Sequence, residues 1–84
     1  MRKAIEDETA SVDRFIDRAL EAPCAVDFRY WEQAAADELW ALPAGQRELL
    51  YTSLCRRIAA SFKTDRNLRE DLIDTLAEAV AAAA

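Results

Sequence analysis

The chain contains no histidine, and that absence removes more chemistry than any residue present supplies. Serine–histidine and cysteine–histidine nucleophile pairs are excluded, together with the commonest general base. A zinc site of the ordinary cysteine/histidine kind needs four ligands. Only Cys24 and Cys55 exist, 31 positions apart and with no Cys-x-x-Cys spacing. Cys55 falls at the edge of an apolar helical stripe, where a thiol packs as a small hydrophobe. Carboxylates are plentiful: Glu70, Asp74 and Glu78 stand at i, i+4 and i+8, and Asp13 and Asp17 at i and i+4. Dinuclear carboxylate centres in bundles face the core and pair Glu with His. These ladders face away from the apolar stripes and read as solvated faces. Gly45 is the only glycine, so glycine-rich phosphate loops are absent. No catalytic residue, metal ligand or cofactor is expected.

Charge narrows the partners. The 84 residues carry a net charge of −5, and the first 41 hold all of it, with five basic groups against ten acidic ones. Residues 42–84 balance at six of each, but Arg56, Arg57, Lys63, Arg66 and Arg69 crowd the stretch 56–69. An acidic total argues against broad nucleic-acid or anionic-membrane binding, which needs many cations on one surface. It suits docking onto a basic protein, such as one that itself binds nucleic acid. No run approaches the roughly 18 apolar residues of a membrane span, and no leader pattern opens the chain. A cytoplasmic protein with no membrane partner is expected, with both thiols reduced.

The elements that must position these groups are helices. Two prolines and one glycine leave punctuation sparse, and no segment alternates with period two. The apolar residues instead recur with helical spacing, predicting an all-α compact bundle of three to four helices in one domain. The predicted helices cover about 3–21, 28–42, 44–62 and 65–82. Their inward stripes are Val12, Phe15, Ile16 and Leu20, with Ile5 before them; Phe28, Trp31, Ala35, Leu39 and Leu42; Leu50, Leu54, Ile58 and Phe62; and Leu68, Leu72, Ile73 and Leu76. Pro23 stops the first helix, Asp27 caps the second, and Pro43 with Gly45 forms the sharpest corner. Thr64 and Asp65 both offer caps for the fourth. Glu8 and Arg69 fall inside the apolar arcs of their helices, which a boundary ion pair would explain. Leu, Ile, Val and Phe total only 19 residues, so the core is thin and a homo-oligomer or a tight partner is expected.

Two residues stand against this pattern. Trp40 projects away from the apolar arc of its helix, and Leu49 does the same on the next, with Arg56 and Lys63 continuing its line at intervals of seven. Exposed tryptophan beside arginine is a common hot-spot composition. Trp40, Leu49, Arg56 and Lys63 are therefore the candidate partner-binding residues; the alternative for Trp40 is that the second helix ends before it and the indole folds back into the core. In size, acidity and lack of catalytic groups the chain resembles phage-encoded anti-defence inhibitors, anti-CRISPR or anti-restriction. That resemblance lies in general character and transfers no residue. The expected function is stoichiometric inhibition or adaptation of a larger partner rather than enzymatic turnover. The alternative is a small DNA-associated transcriptional regulator using the basic stretch 56–69. Its helix-turn-helix rhythm lacks a turn glycine and makes the second helix acidic beyond Arg69, where phosphates would repel it.

The thiols supply a first test. Cys24, beside Pro23 and outside every apolar stripe, should react with an aromatic disulfide reagent much faster than Cys55, and both should titrate as free thiols in fresh protein.

Overall fold

The computed structural model describes the backbone of residues 2–81 and the side chains of residues 11–81. Four helices follow one another: α1 (Arg2–Leu20), α2 (Ala25–Ala41), α3 (Ala44–Ala59) and α4 (Arg66–Ala81). No strand occurs among the described residues. The all-α bundle follows from the 3.6-residue spacing. Val12 and Ile16 of α1, Phe28 and Leu39 of α2, Leu54 and Ile58 of α3, and Leu72 and Leu76 of α4 all meet in one core. A radius of gyration of 12.1 Å matches the roughly 12 Å expected of a compact chain this long. Thin as the core is, it closes.

Short turns make α1 and α2 one antiparallel hairpin and α3 and α4 another. The hairpins lie side by side, α2 against α4 and α1 against α3. Both cross pairs are parallel. Arg29 reaches Asp71 and Glu32 meets Thr75, while Arg57 reaches Asp13 and Thr64 reaches Leu20. In each set the residue numbers rise together along the two helices.

Local chemistry moves several boundaries from their expected places. α2 begins three residues early, with Cys24 as its N-cap and no side-chain cap bond. Asp27 therefore sits inside the first turn, where its carboxylate faces the positive end of the helix dipole. α3 ends at Ala59 rather than 62. The amide of Ala60 donates to Arg56 and that of Ser61 to Ile58, tightening the last turn. Thr64 is then drawn inward, its hydroxyl donating to the Leu20 carbonyl at 3.1 Å. Phe62 is thrown outward by the same turn and stands 83% exposed, not in the core stripe. Asp65 is the cap of α4, accepting from the amides of Asn67 and Leu68.

Arg69, which falls inside an apolar arc, finds partners in backbone carbonyls; the expected pairing with Glu8 lies outside the described residues. Its guanidinium donates to the carbonyls of Ala59 at 2.8 Å and Thr64 at 3.1 Å. It also covers the Phe62 ring at 5.6 Å. These bonds close the end of α3 that Ala59 leaves open.

Leu42 and Pro43 alone make the corner between α2 and α3. Both are extended, at ψ of 155° and 146°, as a residue preceding proline prefers. Gly45 already belongs to α3, has no positive φ, and a Cβ built there meets nothing within 4 Å. Gly45→Ala should therefore raise the unfolding free energy by about 0.5 kcal/mol, through the unfolded chain's lost freedom. Urea denaturation of the two proteins measures it.

Candidate functional site

The seam between α2 and α4 holds the most organised polar chemistry of the molecule. Glu32 points inward on α2 and is only 7% exposed. Burying a carboxylate is costly unless it is paired and hydrogen-bonded. Arg29, one turn earlier, supplies the charge at 3.1 Å, and Thr75 of α4 donates its hydroxyl at 3.3 Å. The second arm of Arg29 reaches Asp71 of α4 at 2.7 Å. That bond, then the one to Glu32, raises Arg29 above its ordinary pKa. The four side chains form a staple that sets the register of α2 on α4.

Below the staple the seam opens into a shallow groove of about 240 Å³. Ala36 and Ala79 form its floor, because neither carries atoms beyond Cβ. Trp40 stands on one side, 57% exposed. Asp37 and Glu78 line it as well, and neither forms an ion pair among the described residues. Asp37 is held in place by the side-chain amide of Gln33, which donates to Oδ1 at 2.9 Å. The groove is smaller than the roughly 300–1,000 Å³ of small-molecule pockets. It has room for one side chain.

The expected contact residues separate. Leu49 is 77% exposed and borders a different hollow, with Gln46, Leu50 and Ser53. Arg56 shares the outer side of α3 with it, two turns on. Lys63 has left the helix. It lies in the α3–α4 turn, beside Pro23, Cys24 and Asp65 in a cleft between the two hairpin turns. Trp40 lines the α2–α4 groove instead, apart from the hollows of Leu49 and Lys63.

The basic stretch is largely committed to the fold. Arg57 joins α3 to α1, donating to the Asp13 carbonyl at 3.1 Å and lying near the carboxylates of Asp13 and Asp17. Arg66 bonds Glu70, and Arg69 serves the turn carbonyls. Arg56 and Lys63 are left without an ion pair among the described residues. The half-buried Tyr51 phenol is raised above its ordinary value of 10.0, first by a hydrogen bond with the Cys55 thiol, then by desolvation. It stays protonated in neutral solution. Among the described residues no cluster of carboxylates and thiols is arranged to hold a metal ion. No described helix is long and apolar enough to cross a membrane.

The burial of Glu32 and the placing of Asp37 with Glu78 in one groove escaped the sequence. Glu32 lies among residues that flank an apolar stripe, and only its helix partner across the bundle buries it. Asp37 and Glu78 sit on different helices and line one groove only when the hairpins dock. A weak signal existed: Ala34, Ala35 and Ala36 mark a helix that a neighbour approaches closely. Compared with known protein families, curated proteins and solved structures, the chain matches none.

Arg47 is a further buried cation that the sequence did not single out. It is 9% exposed, and its Nε and Nη1 find no hydrogen-bond partner. Unlike Glu32, it has no ion-pair partner among the described residues. Replacing a buried charge by an apolar group of similar length is often stabilising. Arg47→Met should raise stability by about 1 kcal/mol, seen as a higher thermal midpoint by circular dichroism.

Proposed function

We propose that the chain is a small acidic protein-binding module of the cytoplasm. It acts stoichiometrically as an inhibitor or adaptor of a larger partner, in the manner of phage-encoded anti-defence inhibitors. One observation carries this reading. A large indole is left 57% exposed above a groove that also holds two unpaired carboxylates. A monomeric domain gains nothing by leaving tryptophan in water, whereas interfaces concentrate it at their energetic centres. The uneven charge supports a basic partner, since the acidic first half of the chain supplies α2.

The fold supplies what such a module needs. α2 is pinned on one side by the α1 turn and on the other by the Arg29–Glu32–Asp71 staple. Its outer face is thereby presented on a rigid element, which lowers the ordering cost of association. Val26 and Tyr30, both exposed, lie on that same face, fourteen and ten residues before Trp40.

Recovery of a complex from the native host, followed by Trp40→Ala, tests the reading. The variant should keep its thermal midpoint within a degree or two and lose about 2 kcal/mol or more of partner affinity. A variant that loses stability yet binds its partner normally would overturn it.

A further inference from the structure

We propose that the groove between α2 and α4 receives one arginine side chain of the partner protein. The inference rests on the protein-binding reading above and names the chemistry that the docking face recognises.

Three features of the groove select a guanidinium. Asp37 and Glu78 place two carboxylates, one from each helix, in a groove lined by no basic residue. Arg29, the cation of the staple above it, is already committed to Glu32 and Asp71. Neither Asp37 nor Glu78 has an ion-pair partner among the described residues. The floor of Ala36 and Ala79 suits an aliphatic stem, the part of arginine that packs against apolar surface while its head stays polar. Trp40 offers the aromatic face on which a planar guanidinium stacks.

The molecule's own pattern points the same way. Arg18 lies over Trp31 at 5.9 Å, Arg29 over Phe28 at 5.7 Å and Arg69 over Phe62 at 5.6 Å. Trp31 is packed besides by Phe15 and Tyr30. Trp40 alone of the two tryptophans has neither a ring nor a cation against it among the described residues. Both halves of an arginine site are present, and the cation is left to the partner. A lysine would gain the charge but not the stacking or the forked hydrogen bonds to carboxylates. A second copy of this chain would bring further negative charge to an acidic groove.

The test uses the intact protein and an acetylated, amidated Gly-Arg-Gly tripeptide as probe, followed through the two indole N–H signals by NMR. The Trp40 signal, assigned with Trp40→Phe, should shift with a dissociation constant in the millimolar range. The Trp31 signal should stay. The same peptide with citrulline, the neutral isostere, should bind at least tenfold more weakly. Asp37→Asn combined with Glu78→Gln, which keeps shape and removes charge, should abolish the difference between the two peptides. The proposal is overturned by equal shifts with citrulline, by an unaltered response of the doubly neutral variant, or by no shift at 20 mM peptide. It is likewise overturned if the Trp40 signal moves with protein concentration alone, since a second copy then fills the groove. The outcomes are separable from the broader reading. A host complex whose affinity ignores the Asp37→Asn, Glu78→Gln change retains protein binding and loses the arginine site. Absence of any host complex removes protein binding, while the peptide titration stands.

Discussion

A single buried carboxylate, Glu32, governs how the two hairpins meet. Placed in the interior without partners, it would cost several kilocalories per mole. It therefore dictates that Arg29 fold back over it and that Thr75 lie opposite. Those contacts fix the height of α4 against α2 to within a fraction of a turn. Apolar stripes cannot do this unaided, because leucine packs acceptably one turn up or down. With the register set, Ala36 comes level with Ala79, and two small residues facing each other leave the seam open beneath the staple. Shape at the groove is thus a by-product of charge placed a turn above it.

Arg57 performs the corresponding task between α1 and α3, with Asp13 and Asp17 as its partners. These pairs are half exposed and contribute little individually. Their value lies in orientation. α1 and α3 touch less than the other neighbours, and a guanidinium bridging a backbone carbonyl and two carboxylates holds their directions parallel. The Thr64 hydroxyl on the Leu20 carbonyl adds a neutral tether at the same end. Polar contacts thus specify a packing that the small apolar core drives.

Helix number, order and most core residues were legible in the sequence, since they depend only on local spacing. Val12, Ile16, Leu39, Leu54, Leu72 and Leu76 are buried as their stripes require. Phe62 was misplaced because a stripe carries no information about where its helix stops. The end of α3 is decided by Thr64 and Arg69, which bond to carbonyls of Leu20 and Ala59. The helix wheel alone left Trp40 open between solvent and core, because its angle counts only if the helix reaches that far; α2 runs on to Ala41, and the indole is exposed. The other residues of its groove were not legible, because Glu78 lines it from 38 positions further along the chain. Leu49, Arg56 and Lys63 shared a line only on an α3 longer than the one that forms. Two charged residues, Arg29 and Arg57, mark contacts between helices that propensity alone does not show.

The cross-hairpin hydrogen bonds share one further property. Arg29–Asp71, Glu32–Thr75, Arg57–Asp13 and Thr64–Leu20 span 42, 43, 44 and 44 residues, about half the chain in every case. Closing a loop costs entropy that depends on its length, and here all four bonds close loops of the same length. Whichever forms first therefore bears the cost of bringing the halves together, and the other three follow within an already closed ring. Topology therefore charges the entropy of closure once, to the docking of the two halves, and none of these four bonds between the hairpins is a short-range one.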